Sequence, residues 1–469
     1  MVFNSHKLDK DYEIVSLISE TNFGRVYKVL HKQTGQFRCM KMYVKDRMKK
    51  TVQNNFPSEL DLLRELDHPN IFRVYEFAEE PQSFYLISEY LSGGELFDAI
   101  IKAQSFSENE ARLILKQILY AINYLHLNGI AHRDIKPENL MLAQPDRIDQ
   151  LKLIDFGTAK RFQSGTKMKE VLGTAYYMAP EIFTQSYDEK VDVWACGVIA
   201  FILLSGHPPF NAATDPEIHQ KIVEDPVMFS QSAWKDVTKE AIDFISQMLS
   251  KDPSKRPSIA SCLKHPWFVQ KEPDQPNPHP IGNYLENIRE FTATCRMART
   301  LRMFMISHFC GEDKRLELAQ IFERMDGNKD GCIDREELKE ACEKTNQHLE
   351  YAKILQEVDV NCDNMINFSE FVMAAIKFQR NFFENQFEEV FALMDCDRNG
   401  KLTRSELAAF FKRNPEDEFV NEMFVDVDAN KDGLITLGSF RTSVSKKYLS
   451  DDILLISFTK LLIDSQFLK

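Results

Sequence analysis

The spacing of apolar residues divides the chain into three zones. From about residue 12 to 268, short β-rich apolar runs come first and longer helical patterns follow. Residues 271–283, KEPDQPNPHPIGN, contain four prolines and read as a linker. From about residue 312 a pattern recurs: an apolar helix, an Asp/Asn-rich loop, another helix. The loops begin at Asp326, Asp359, Asp395 and Asp428, separated by 33, 36 and 33 residues, which marks duplicated units in two pairs. Between linker and repeats, Tyr284, Ile288, Phe291, Cys295, Ala298, Met305 and Phe309 fall near helical spacing. Leu301 lies beside them, and Arg289, Arg296, Arg299 and Arg302 accompany them. Two readings of this 284–309 segment stand open. It is a helix packed on its own domain, or a target helix for an acidic, groove-forming sensor. After the last loop, a tail beginning Asp451-Asp452-Ile453 predicts one more helix, with Ser450 as its N-cap.

Charge sharpens this division. The net charge of the 469-residue chain is −13, and residues 312–469 hold 32 acidic and 21 basic side chains, net −11. An acidic final third argues against a nucleic-acid partner and for cations or basic segments. The nine cysteines show no paired spacing and read as reduced thiols in a cytoplasmic protein. Residue 2 is valine, so the glycine needed for N-myristoylation is absent and no stable membrane anchor is expected. No run of about 18 apolar residues is present.

The strongest chemistry lies in the first zone. His132-Arg133-Asp134-Ile135-Lys136-Pro137-Glu138-Asn139 is followed by Asp155-Phe156-Gly157 and then by Ala179-Pro180-Glu181. In this order and at these spacings, the set resembles the protein kinase family over about residues 12–268. Phosphoryl transfer needs alignment and charge neutralisation more than covalent chemistry. The resemblance implies that Asp134 accepts the substrate hydroxyl proton and that Lys136 contacts the transferring phosphate. Asn139 and Asp155 would supply oxygen ligands for magnesium. Lys41 matches the lysine that holds the α- and β-phosphates, and Glu59, nine residues before His68, matches its partner. Ile18, Gly24, Val26, Lys41, Glu89, Leu91 and Glu95 would surround ATP, with Ser88 at the back of a roomy pocket. Lys136 points to serine/threonine specificity. Glu95 and Glu138 match acids that read an arginine three residues before the phosphorylated site. In the activation segment, Glu170 lies three residues before Gly173-Thr174, where many kinases carry a phosphate, and Arg133 is its expected partner.

One segment departs from the pattern. The phosphate-covering loop usually has three glycines. Here Ser19 and Thr21 replace two of them and only Gly24 remains. Thr21, being β-branched, is the worse replacement wherever φ must be positive. This favours a rival reading, a calcium-responsive scaffold with a weak or inactive kinase domain.

The repeats carry calcium chemistry. Asp326, Asn328, Asp330, Cys332, Asp334 and Glu337 match the ligand positions of a twelve-residue EF-hand loop, with Gly331 at its turn. Asp359, Asn361, Asp363, Met365, Asn367 and Glu370 form a second loop, whose turn position is Asn364, a residue able to adopt the left-handed conformation. Asp395, Asp397, Asn399, Lys401, Thr403 and Glu406 form a third. Asp428, Asn430, Asp432 and Leu434 begin a fourth, but its last position is Ser439, so a weak site is expected.

Kinase, basic segment and four EF-hands together resemble the calcium-dependent protein kinases of plants and protists. That resemblance implies an α+β bilobal kinase fold followed by an all-α calmodulin-like domain. It implies ATP, Mg2+ and Ca2+ as cofactors, protein substrates, and action as a monomer. The expected domains are an extension at 1–11, a kinase domain at 12–268, a linker and autoinhibitory junction helix at 269–311, a calmodulin-like domain at 312–446 and a helical tail at 447–469. The implied switch is calcium-driven removal of the 284–309 segment from the kinase.

Overall fold

The computed structural model describes residues 2–4; 8–269 except 33, 49–59, 61, 64, 164, 230 and 231; 281, 284, 285, 288, 303, 306 and 310; and 311–440 except 345–350, 362, 377–387, 389, 393, 412, 413 and 429. Glu59, the prolines of 271–280, the arginines of the 284–309 segment and the 447–469 tail therefore lie outside the described residues. The chain divides into two compact units, residues 1–278 with 326–332, and residues 279–325 with 333–469.

The first unit opens with a six-stranded sheet in the order β1-β5-β6-β4-β3-β2. Its strands are β1 (Val2–Asn4), β2 (Tyr12–Thr21), β3 (Gly24–His31), β4 (Gln36–Val44), β5 (Val74–Glu79) and β6 (Ser83–Glu89). Alternation along β4 sends Met40 to one face, where it packs with Leu8, Tyr12, Val29, Ala78 and Ile87. Lys41, one residue on, is thereby turned to the opposite face, opposite Val26 of β3 and Leu86 of β6 in register. Arg38, 2% exposed, is kept inside the sheet's apolar face by the Tyr12 hydroxyl at 2.7 Å and the Glu76 carboxylate at 3.4 Å.

A helical region follows. The helix Glu108–Leu127 begins at a capping box. The Ser107 hydroxyl accepts from Glu110 N, and Glu110 Oε2 accepts from Ser107 N at 2.9 Å. The helix Lys190–Ser205 is apolar on all sides, Val-Asp-Val-Trp-Ala-Cys-Gly-Val-Ile-Ala-Phe-Ile-Leu-Leu after its first residue, and it is buried on all sides accordingly. Trp194, Trp267 and Phe156 are fully buried in the single large core that these helices share. The chain leaves Lys190–Ser205 at Gly206, whose φ of 77° supplies the left-handed cap. Two short antiparallel strand pairs, β7 (Ile130–Ala131) with β10 (Lys160–Arg161) and β8 (Leu140–Leu142) with β9 (Leu151–Leu153), carry the loops that hold the catalytic motifs.

The second unit is helical. Its helices flank the Asp/Asn-rich loops, and the loops pair through short strands, β11 (Cys332–Ile333) with β12 (Ile366–Asn367) and β13 (Lys401–Leu402) with β14 (Ile435–Thr436). Each pair has its own core. Phe322, Ile333, Phe368 and Phe371 centre the first, and Phe391, Leu402, Phe424 and Phe440 the second. Tyr284, Leu285, Ile288 and Ile306, all at most 8% exposed, belong to the core of the first pair. No described helix is long and apolar enough to cross a membrane.

Candidate active site and calcium loops

The loop between β7 and β8 bends sharply, with Arg133 at φ 69°, and its backbone is held from beneath. Asp192, 1% exposed at the start of the buried helix, accepts from His132 N at 2.9 Å and Arg133 N at 2.8 Å. His126 Nε2 lies 2.9 Å from the same carboxylate. Burial pushes the Asp192 pKa up, but the His126 bond, His132 and the Arg133 N–H outweigh it, and the net shift is downward. Sequence spacing gave no notice of Asp192. Its signal was a lone acid inside an otherwise apolar helix, which must be satisfied somewhere.

On this platform the predicted residues converge. Lys136 Nζ sits 2.8 Å from Asp134 Oδ2 and donates to Thr174 Oγ1 at 2.9 Å. Thr174 Oγ1 in turn lies 3.4 Å from Asp134 Oδ1. Asn139 Nδ2 donates to the Asp134 carbonyl at 2.8 Å and to its Oδ2 at 3.1 Å. The Asp134 carboxylate is thus fixed by three neighbours. Phe156 is buried, 5.0 Å from the His132 ring centroid and 6.0 Å from that of Phe72, which anchors the preceding Asp155 at φ 64°. Gly157 N donates to Asp155 Oδ1 at 3.1 Å. Burial raises the Asp155 pKa, yet Lys41, that N–H, His132 and Lys136 pull it lower than an ordinary aspartate. The group therefore presents a carboxylate, as a ligand for a hard divalent cation must.

The remaining predicted residues take different positions. Ile18 is 48% exposed on β2, and Val26 pairs with Lys41 across the sheet. Glu89 is buried, and its Oε1 accepts from Arg73 N at 2.7 Å with Lys152 Nζ at 3.4 Å, so its side chain is structural, while its backbone N–H donates to the Arg73 carbonyl at 2.9 Å. Ser88 and Leu91 are buried. Burial, Asp98 and Glu138 raise the pKa of Glu95. Glu138 Oε2 is buried and accepts no hydrogen bond among the described residues.

Glu170 meets its predicted partner. Arg133 Nη1 lies 3.2 Å from Glu170 Oε2, while Lys160 Nζ bonds Oε1. Chiefly because of Lys160, the Glu170 pKa is pushed down to about 2. The segment is fastened on both sides, by Tyr187 OH donating to the Glu170 carbonyl at 2.7 Å and by a Met168–Tyr187 bridge. Glu181 forms a buried two-pronged ion pair with Arg256, at 2.5 and 2.6 Å.

The expectation of backbone strain at the phosphate loop is corrected. Ser19 and Thr21 sit in β2 itself, and neither has positive φ. Thr21 pairs with Gly24 across a two-residue turn, and β2 and β3 form a hairpin with register shifts between Ile14 and Ser16 and between Leu17 and Ser19. Gly24 is required for a different reason: a Cβ there would lie 1.8 Å from the Met42 carbonyl oxygen.

In the calcium loops, backbone N–H groups gather on the predicted carboxylates. Gly331, Asn364, Gly400 and Gly433 each donate to the Oδ2 of the aspartate five residues earlier, at 2.8–3.0 Å. Asn364 has φ 66°, as its position required. Glu337 Oε2 accepts from Asp334 N at 3.0 Å, and Glu370 Oε2 from Asn367 N at 3.0 Å. Glu406 Oε2 accepts from Thr403 N at 2.9 Å. Glu370 is fully buried, and burial raises its pKa to about 7. Oxygens of Asp395, Asp397 and Glu406 lie within 4.8 Å of one another, a spacing one divalent cation can bridge. In the fourth loop, Ser439 Oγ takes the Thr436 N–H at 2.9 Å, where the others place a glutamate.

The comparisons with known proteins agree with this geometry. The protein kinase domain family matches residues 12–268, and the EF-hand domain pair family matches 315–375 and 384–442. Calcium-dependent protein kinase 4 of Plasmodium falciparum is 35% identical over 95% of this chain and 87% of its own. Calcium-dependent protein kinase 5 of the same organism is 32% identical over 94% and 79%. Calcium-dependent protein kinase 33 of Arabidopsis thaliana is 32% identical over 92% and 85%. The chain belongs to the calcium-dependent protein kinases. It is a calcium-activated serine/threonine protein kinase that uses ATP, Mg2+ and Ca2+.

Proposed function

We propose that the residues gathered around Asp134 perform the transfer as follows. Asp134 orients the substrate hydroxyl and takes its proton, and Lys136 neutralises charge on the moving phosphoryl group. Asn139 and Asp155 hold magnesium. Lys41 holds the α- and β-phosphates, with Glu59 the partner that the family pattern assigns to it. Ile18, Val26, Leu91 and the Glu89 backbone enclose the adenine, with Gly24 at the hairpin tip. The observation that carries this reading is the triangle of Asp134, Lys136 and Thr174, with Asn139 bonded to the first.

Glu95 and Glu138 read an arginine upstream of the phosphorylated residue. The unpartnered Glu138 oxygen and the raised Glu95 pKa both describe carboxylates waiting for a cation. Glu170 replaces a phosphate in ordering the activation segment through Arg133 and Lys160. Thr174 aligns the substrate beside Asp134. Loops one to three bind calcium readily and loop four weakly. The 284–309 segment restrains the kinase until calcium loads the sensor; burial of Tyr284, Leu285, Ile288 and Ile306 in the core of the first loop pair supports its contact with the sensor. The protein acts as a monomer on protein substrates in the cytoplasm.

The test is phosphate transfer to an Arg-x-x-Ser peptide, with calcium or with chelator, alongside an Asp134→Asn control and a truncation after about residue 283. Transfer that needs calcium in the full chain and not in the truncated, folded kinase supports the scheme. A truncated kinase that is folded yet inactive refutes restraint by the segment.

A further inference from the structure

The hairpin formed by β2 and β3 holds an unusual hydroxyl. Thr21 Oγ1 accepts from Gly24 N at 3.1 Å and lies 3.3 Å from the Gly24 carbonyl, to which it can donate. One side chain therefore satisfies both backbone groups of the residue at the turn. A glycine-rich phosphate loop works because its backbone N–H groups are open toward the phosphate oxygens. Here the Gly24 N–H is already taken. The tip is also drawn onto β4, where Val44 N donates to the Phe23 carbonyl at 2.7 Å, and Gly24 lies directly against the Met42 carbonyl.

We propose that Thr21 competes with ATP, its hydroxyl occupying the place of a phosphate oxygen at the Gly24 N–H. This rests on the reading that ATP lies beneath the 18–26 hairpin. Binding then becomes an exchange: a phosphate oxygen displaces the hydroxyl, and the Thr21 rotamer swings away. The chain gives up the bond from the Gly24 N–H to Thr21, and with it the longer contact to the Gly24 carbonyl, for each nucleotide bound, which weakens affinity without straining the backbone. The extended φ of Thr21 separates this cause from strain. The cost belongs to the phosphates and leaves the purine untouched. It also lies on nucleotide binding rather than on the transfer step, because the Asp134 cluster comes from a different part of the unit.

Thr21→Val keeps the β-branch and the volume but cannot accept a hydrogen bond. Titration calorimetry on the full chain with Mg2+ and Ca2+ should show it binding ATP roughly two- to tenfold more tightly than wild type, the worth of one hydrogen bond. Adenosine, which has no phosphates, should bind equally to both. Thr21→Ser should match wild type, and Thr21→Gly should follow Thr21→Val, so a poorly folding valine variant does not end the test. In steady-state kinetics, KM for ATP should fall while kcat stays. Four results overturn the proposal: unchanged or weaker ATP binding in Thr21→Val and Thr21→Gly, a parallel shift for adenosine, a serine variant that behaves like valine, or a change confined to kcat. A wild-type chain that binds neither ATP nor adenosine overturns the nucleotide reading itself, and this proposal with it.

Discussion

Two parts of this molecule collect oxygens for a divalent cation, and they do it in opposite ways. Each calcium loop draws its ligands from twelve consecutive residues, and its own backbone N–H groups aim them, as Gly400 N aims Asp395 and Thr403 N aims Glu406. On the proposed assignment, the kinase cleft would draw its magnesium ligands from two separate loops, Asn139 before β8 and Asp155 after β9. The first loop is held by residues elsewhere: Asp192 accepts from the His132 N–H, and the buried Phe156, next to Asp155, packs on the His132 ring. A contiguous site is a property of local geometry. An assembled site is a property of the fold, and damage at a distance can reach it.

The largest effect should come from the assembled site. Asp134→Asn leaves a group of the same shape that cannot take a proton, and kcat should drop by roughly a hundred- to ten-thousandfold, with calcium binding by calorimetry unchanged. If calcium binding also collapses, the two sites are less separate than the comparison holds. Next, glutamine at Glu337, Glu370 and Glu406 together removes the bidentate ligand from three loops. Activity with calcium should then fall to its level in chelator, while the melting of the truncated kinase, which lacks these loops, provides the fixed reference. Retained calcium activation would mean that the glutamates are not the ligands that matter.

Ser439→Glu tests how self-contained a loop is. The fourth loop already has the Gly433-to-Asp428 bond and the paired strand, so one side chain should add one calorimetric calcium site. No gain would show that the loop needs more than its own residues. The smallest effect belongs to Glu170→Gln. The pair is partly exposed, and such pairs contribute about 0–1 kcal/mol, so activity should fall by no more than about fivefold. The sign with pH follows from the depressed pKa. A carboxylate lowered from 4.5 to about 2 gives its full contribution above the higher value and loses it only as pH falls toward the lower. Activity profiles of wild type and Glu170→Gln between pH 5 and 8 should therefore run parallel, and a new inflection in that range in either protein would remove Glu170 from this role.

The same contrast explains what could be read without coordinates. The conformation of the EF-hand loops was legible, down to the left-handed Asn364, because each position in such a loop is fixed by its distance along the chain. The catalytic motifs were legible as fixed tripeptides and spacings. Their supports were not, because Asp192 beneath His132 and Arg256 beside Glu181 are related to them only by folding. Thr21 was misread for a related reason. Counting missing glycines suggested strain, whereas the hairpin places that residue in extended backbone and gives its hydroxyl a partner. The 284–309 segment left two alternatives open, and burial of Tyr284, Leu285, Ile288 and Ile306 among sensor residues shows where part of its apolar face goes.

The fixed charge at Glu170 has a consequence in time. A kinase whose activation segment is ordered by an added phosphate remembers its stimulus until a phosphatase removes that group. Here the charge is written into the chain, held by Arg133 and Lys160, and no enzyme can erase or renew it. On this reading the kinase carries no record of past activation in that segment. Its active period ends when calcium leaves the loops, so the duration of its output is set by ion dissociation and by the length of the calcium signal itself.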